Sequence, residues 1–237
     1  MPRPTHILLD FFGTLVAYSD SRTALDHRGT YDRLLDFGAR VDYAGFLTGW
    51  SATWAEFDLL SDVDDHEFSV TDVGTAYLRS TLGREPTTEE TRSFLAAYIT
   101  EWNTGVRYLD GLVELLAVLG RDHRLAVVSN THDLRLVPDH LDALGVRSLM
   151  TAVVLSVEVG WRKPHPVIYE STLGELGIRP DEAVFVGDSY RADFEGPERA
   201  GIRSFLIDPD RRTPVPADRR LDSIFDLPAA LLQLGSA

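Results

Sequence analysis

Five side chains able to do chemistry follow short apolar runs in this chain, and a sixth stands just before a proline expected to open a helix. Asp10 ends "HILLD", Ser129 and Asn130 end "LAVVSN", and Asp188 ends "AVFVGD", with Asp193 five residues further on. Lys163 stands in "GWRKP", before a proline suited to the first turn of a helix. Gathered carboxylates hold a hard cation through oxygen, a hydroxyl or backbone N–H stabilises developing negative charge, and an ammonium compensates an anion. Taken singly, each residue suits a strand end, a turn or a helix start equally well. The weight therefore falls on whether one framework brings them together.

In an open α/β sheet, ligands bind beyond the carboxyl ends of the strands, where these residues stand. Short apolar runs at Ile7–Leu9, Leu125–Val128, Val153–Leu155, Ala183–Val186 and Ser204–Ile207 have the length of buried parallel strands. Helix-period segments at 109–120, 134–145, 164–177 and 192–201 alternate with them. The alternation predicts an α/β fold, a doubly wound parallel sheet of Rossmann-like type. A turn rich in proline, "DPDRRTPVPAD", and a last helix around 222–234 follow.

Residues 17–106 break the alternation with helical patterns such as "YAGFLTGWSATWAEFDLL" and "TEETRSFLAAYITEW" and no convincing strand. A structureless connection of that length is improbable, so an inserted helical domain is expected: 18–106 as the insert, with 1–17 and 107–237 as the core.

The formal net charge of −14 argues against nucleic acid or an anionic membrane surface as partner. An anionic small-molecule substrate then needs a local cation, and of the 23 lysines and arginines only Lys163 is lysine. Without cysteine there is no thiol nucleophile, disulfide or zinc–thiolate site. Asp10 interrupts the first apolar run too early for a signal peptide, and no stretch approaches membrane-spanning length, so a cytoplasmic enzyme is expected. A homodimer is compatible with the sequence, which specifies no interface for one.

Taken in order, "DFFGTL", "VVSN", "GWRKP" and "GDSYRAD" resemble the four motifs of the haloacid dehalogenase superfamily, over about residues 1–17 and 107–210. The resemblance implies a Rossmann-like core with an inserted helical cap. It implies Asp10 as a nucleophile that forms an aspartyl-phosphate, and Mg²⁺ held by Asp10, Asp188 and Asp193 with the backbone carbonyl of Phe12. It further implies Ser129 and the Asn130 backbone N–H as donors to the transferring group, Gly13 and Thr14 beside the substrate, and Lys163 as the compensating cation.

Phe12 departs from the phosphatase pattern. The resemblance implies a second aspartate there, which protonates the leaving alcohol and then activates water, and phenylalanine does neither. General acid–base catalysis is worth about 10²–10⁴-fold. The L-2-haloacid dehalogenases have tyrosine at this position, expel halide without a proton and use no metal, yet "GDSYRAD" keeps carboxylates of the metal-binding type. Phosphonoacetaldehyde hydrolases use a cap lysine, and the insert has none. A Mg²⁺-dependent phosphatase acting on a small phosphorylated metabolite is the expectation, with a dehalogenase-like hydrolase or a non-catalytic binding descendant as alternatives. Either the substrate has a good leaving group, as in an acyl phosphate, or another side chain acts as the acid, with His132 and His165 the nearest candidates by sequence. Tyr18, Arg22, His27, Trp50 and Trp54 of the insert either line a substrate cavity or pack between its helices, and the spacing of the tryptophans favours packing. Arg162 reads as a surface charge.

Overall fold

The computed structural model describes residues 4–19 and 26–234. The chain divides into two compact units, Met1–Ala17 with Tyr108–Ala237 and, between them in sequence, Tyr18–Arg107.

The first unit is built on a parallel sheet. Its strands are β1 (His6–Leu9), β4 (Arg124–Ser129), β5 (Met150–Leu155), β6 (Ala183–Gly187), β7 (Arg203–Ile207) and β8 (Arg220–Leu221), in spatial order β5-β4-β1-β6-β7-β8. Every residue of β1 and β6 is buried, as expected of strands covered on both faces. β1 is central, with Leu9 opposite Val127 on one side and Val186 on the other. Successive strands run outward from β1 through β4 to β5, and the chain then crosses to β6 on the other side. That reversal makes the end of β1 a topological switch point, the place where open α/β sheets bind their ligands.

The helices of this unit are α5 (Leu112–Asp122), α6 (Leu136–Ala143), α7 (Ser156–Val159), α8 (Pro166–Leu176), α9 (Gly196–Arg199) and α10 (Leu227–Leu234). Helix α5 buries Leu112, Leu115, Leu116 and Leu119, a one-face stripe at helical spacing. Between β6 and β7 the segment expected as a helix over 192–201 is instead a π-helical turn, Tyr190–Glu195, followed by the short α9. The Tyr169 hydroxyl, buried on α8, donates to the Ala192 carbonyl at 2.5 Å and takes up a carbonyl of this wider turn. β8 was not legible as a strand, because only two residues, Arg220 and Leu221, pair with Leu206 and Ile207 at the sheet edge.

The second unit contains α1 (Arg28–Asp36), α2 (Tyr43–Ser61), α3 (Val70–Leu82) and α4 (Thr88–Asn103). The short strands β2 (Val16–Tyr18) and β3 (Val106–Tyr108) pair where the chain enters and leaves it, a ribbon too brief for a periodic signal. Capping boxes at Ser69/Asp72 and Thr87/Glu90 fix the starts of α3 and α4. Helix α1 has no side-chain cap of its own, and Glu101 of α4 accepts from the Gly29 and Thr30 N–H groups instead. Trp50 is buried at the centre, with ring centroids of Tyr77, Phe94 and Tyr98 5.3, 5.3 and 5.0 Å away. Trp54 meets Trp50 edge-on at 5.8 Å, Tyr18 meets Trp102 at 6.1 Å and His27 lies 5.4 Å from Tyr98. These four rings pack within their own unit, and Arg22 lies outside the described residues.

Candidate active site

Asp10 continues β1 by one residue, its N–H donating to the Val186 carbonyl at 2.9 Å. The chain then turns sharply, with Leu15 and Val16 N–H groups both donating to the Phe11 carbonyl at 2.9 and 3.1 Å. Gly13 takes φ +92° in this turn, where a side chain would be strained and a Cβ would collide with the Asp188 carboxylate. The turn also folds Thr14 back, so that its hydroxyl donates to Asp10 Oδ2 at 3.1 Å.

Lys163 reaches the same point from the loop before α8. Its Nζ donates to Asp10 Oδ1 at 2.8 Å and to Asp193 Oδ1 at 2.7 Å. All three residues are nearly out of solvent, at 3% exposure for Lys163, 6% for Asp10 and 1% for Asp193, so the contacts are direct and weakly screened. Asp193 is held on its other oxygen by the Ser189 N–H at 2.8 Å. Gly187, at the end of β6, gives Asp193 its space, since a Cβ there would collide with that carboxyl group. Asp188 stays open to solvent on one side.

Oxygens of Asp10, Asp188 and Asp193 all lie within 4.8 Å of one another. Three carboxylates thus face one ammonium, and the imbalance shows in their proton affinities. Burial pushes Asp10 up to about 7, with Asp193 and Asp188 adding to the rise and Lys163 opposing it. Burial followed by the Asp193 charge raises Asp188 to about 6. Burial works against the Lys163 ammonium, yet Asp10 and Asp193 together hold it above its ordinary value. One cation is over-compensated while the carboxylates remain under-compensated. A divalent hard cation fits this oxygen-rich donor set, because it supplies the charge the cluster lacks.

Asn130 joins the site by a different route from the one its position suggested. Its side-chain amide donates to the Lys163 carbonyl at 2.9 Å and accepts from the Lys163 N–H at 2.7 Å, which locks the lysine loop to the end of β4. Ser129, fully buried, ends β4 beside β1 and donates weakly to the Asn130 carbonyl at 3.4 Å. The hydroxyl of Ser156 bridges the Thr131 N–H and carbonyl at 2.9 and 3.2 Å and steadies the same loop from the start of α7. Neither Ser156 nor Tyr169 carried a signal in sequence, since each acts on a backbone group more than twenty residues away.

Phe12 projects an apolar ring one residue beyond Phe11. It meets Phe11 edge-on at 4.9 Å and the buried His140 of α6 at 6.3 Å. His140 Nδ1 is paired with the Tyr108 hydroxyl at 2.9 Å, and burial lowers its proton affinity. Of the histidines expected near the site, His165 caps α8 by accepting from the Val167 N–H at 3.4 Å and stacks on Trp161 at 4.0 Å. His132 lies partly exposed in the loop after β4. Arg162 is only partly exposed, so it is not the simple surface charge that its place in the sequence suggested.

A family model described as haloacid dehalogenase-like hydrolase matches residues 63–207. Haloacid dehalogenase-like hydrolase domain-containing protein 3 of Homo sapiens is 39% identical over 117 residues, covering 47% of this chain and 46% of that protein. Glyceraldehyde 3-phosphate phosphatase of Methanothermobacter thermautotrophicus is 32% identical over 93 residues, covering 39% of this chain and 41% of that protein. The chain thus spans about half the length of the curated relatives it matches. Among solved structures, the 2-haloacid dehalogenase of Pseudomonas syringae pv. Tomato superposes with a TM-score of 0.70 at 18% identity, covering 98% of this chain and 99% of that one. At that identity the likeness is one of fold: a Rossmann-like core with an inserted helical cap. No helix among the described residues is long and apolar enough to cross a membrane.

Proposed function

The chain belongs to the haloacid dehalogenase-like hydrolase family, and from that premise we propose that it is a Mg²⁺-dependent phosphatase acting on a small phosphorylated metabolite. The observation that carries the reading is the cluster of Asp10, Asp188 and Asp193 around a single buried lysine. Asp10, Asp188, Asp193 and the Phe12 carbonyl would hold the metal, which when bound supplies positive charge to the phosphoryl oxygens.

Asp10 attacks phosphorus with one carboxylate oxygen, the bond from phosphorus to the leaving oxygen breaks, and an aspartyl-phosphate forms. The Thr14 hydroxyl and the Lys163 ammonium hold the Asp10 carboxylate in one orientation, which limits the freedom lost on the way to reaction. Ser129 and the Asn130 N–H, with Gly13 and Thr14, receive the transferring group. Asp193 positions Lys163 as well as completing the carboxylate cluster. Water then attacks the phosphoryl group and frees Asp10. That curated relatives include a glyceraldehyde 3-phosphate phosphatase and a phosphoserine phosphatase supports phosphoryl rather than halide chemistry.

Phe12 favours one competing reading, a 2-haloacid dehalogenase, whose leaving halide needs no proton. The two readings separate in one assay: phosphate and halide release from a mixed panel, with and without Mg²⁺, for the wild type and Asp10→Asn. Phosphate release that requires both Mg²⁺ and Asp10 is the expected result. Metal-independent halide release would overturn it.

A further inference from the structure

We infer that the substrate of this site expels its leaving group without receiving a proton, as an acyl phosphate does, and that simple alkyl phosphates are poor substrates. The inference rests on the phosphatase reading above and narrows it.

The argument starts from what touches Asp10. Its two carboxylate oxygens meet the Lys163 ammonium and the Thr14 hydroxyl. Lys163 is committed to two carboxylates at 2.7 and 2.8 Å, and an alcohol is a feeble acid. Phe12, two residues after Asp10 and inside the turn out of β1, has no proton to give, and its ring is engaged edge-on with Phe11 and His140. His140 is buried with Nδ1 on Tyr108, and His165 uses Nδ1 to cap α8 while its ring stacks on Trp161. Around Asp10 the core unit thus gathers polar and charged groups, while Phe12, two residues on, contributes a ring packed on Phe11 and His140 and no proton to give.

Two kinds of leaving group behave differently there. An alkoxide is so basic that its departure without a proton is prohibitive, and supplying that proton is worth about 10²–10⁴-fold. A carboxylate departs as a stable anion. With an acyl phosphate the carboxylate of Asp10 forms a bond to phosphorus while the substrate's carboxylate leaves with the bonding electrons, so no proton moves. The second step has the same character: water attacks phosphorus, Asp10 leaves as a carboxylate, and the water's proton passes to phosphate oxygen or solvent. Both halves expel a carboxylate, and neither needs an acid at position 12.

The test is a leaving-group series measured with Mg²⁺: acetyl phosphate, 4-nitrophenyl phosphate, phenyl phosphate and glycerol phosphate, for the wild type, Phe12→Asp and Phe12→Asn. The expected wild-type kcat/KM falls steeply from acetyl to glycerol phosphate. Phe12→Asp should shrink the acetyl-to-glycerol ratio by about 10²-fold or more, whereas Phe12→Asn, of the same size but without a transferable proton, should not. A flat wild-type series would overturn the inference while leaving the phosphatase reading intact. If His132→Gln abolishes a wild-type activity on glycerol phosphate, the acid exists and the inference fails in the same way. No phosphate from any of the four, acetyl phosphate included, would overturn both.

Discussion

Asn130 and Lys163 grip one another through two hydrogen bonds, side-chain amide to carbonyl at 2.9 Å and backbone N–H to side-chain oxygen at 2.7 Å. The pair joins the end of β4 to the loop before α8, and so sets where the ammonium arrives at Asp10. Asn130→Ala removes both bonds and is expected to lower kcat/KM by about 10²-fold through misplacement of Lys163. Stability should fall by about 1 kcal/mol, since partly buried backbone groups lose their partner. Steady-state kinetics and urea unfolding check this, and unchanged kinetics would mean that the loop holds itself.

Lys163→Met leaves Asp10 and Asp193 facing each other across a buried site with no cation. Removing one member of a buried charge set costs about 3–5 kcal/mol. The loss should be smaller at pH 5 than at pH 8, because protonation of a carboxylate relieves the repulsion. Urea midpoints at the two pH values measure it, and equal losses would contradict the role given to the ammonium.

The metal-free wild type carries a related pH signature. Asp10 is raised to about 7 and Asp188 to about 6, above their ordinary value of 3.8. As pH rises from about 4 to 7 the unfolded chain gives up these protons first, so it binds fewer than the folded one and stability falls across that window. Mg²⁺ should oppose the fall, with a stabilisation of about 2.7 kcal/mol at a hundredfold excess over its Kd that grows as protons cease to compete. Thermal melts across pH with and without Mg²⁺ test both parts. Indifference to Mg²⁺ at pH 8 would remove the metal from the account.

Gly13→Ala places a Cβ against the Asp188 carboxylate in a turn at φ +92°. Backbone strain of this kind costs about 1–3 kcal/mol, and displacement of Asp188 should weaken Mg²⁺-dependent stabilisation together with activity. Isothermal titration with Mg²⁺ reads the effect directly; wild-type affinity would show that Asp188 is not where the metal sits.

Much of this was legible in the sequence for a physical reason. Buried parallel strands are short apolar runs, so β1, β4, β5, β6 and β7 announce themselves, and the residues just beyond them, Asp10, Ser129 and Asp188, fall on one edge of the sheet. Lys163 stood out as the single lysine. Contacts that join distant segments left no trace: Asn130 acts through its side chain on a loop 33 residues away, and Phe12 packs on His140 only because α6 returns to the end of β1. The π-helical turn was read as a helix because its polar pattern is helical, while the Tyr169 hydroxyl and the Asp193–Lys163 contact shape it from outside. The pairings that define β2, β3 and β8 are too short for any periodicity to reveal.

The most direct test of the account is to trap the covalent intermediate. Protein mixed with acetyl phosphate and Mg²⁺, quenched in acid and digested, should yield by mass spectrometry a phosphoryl adduct on the peptide containing Asp10, absent from Asp10→Asn. Turnover with no adduct on that peptide, or an adduct that survives in Asp10→Asn, would contradict Asp10 as the group that takes the phosphoryl.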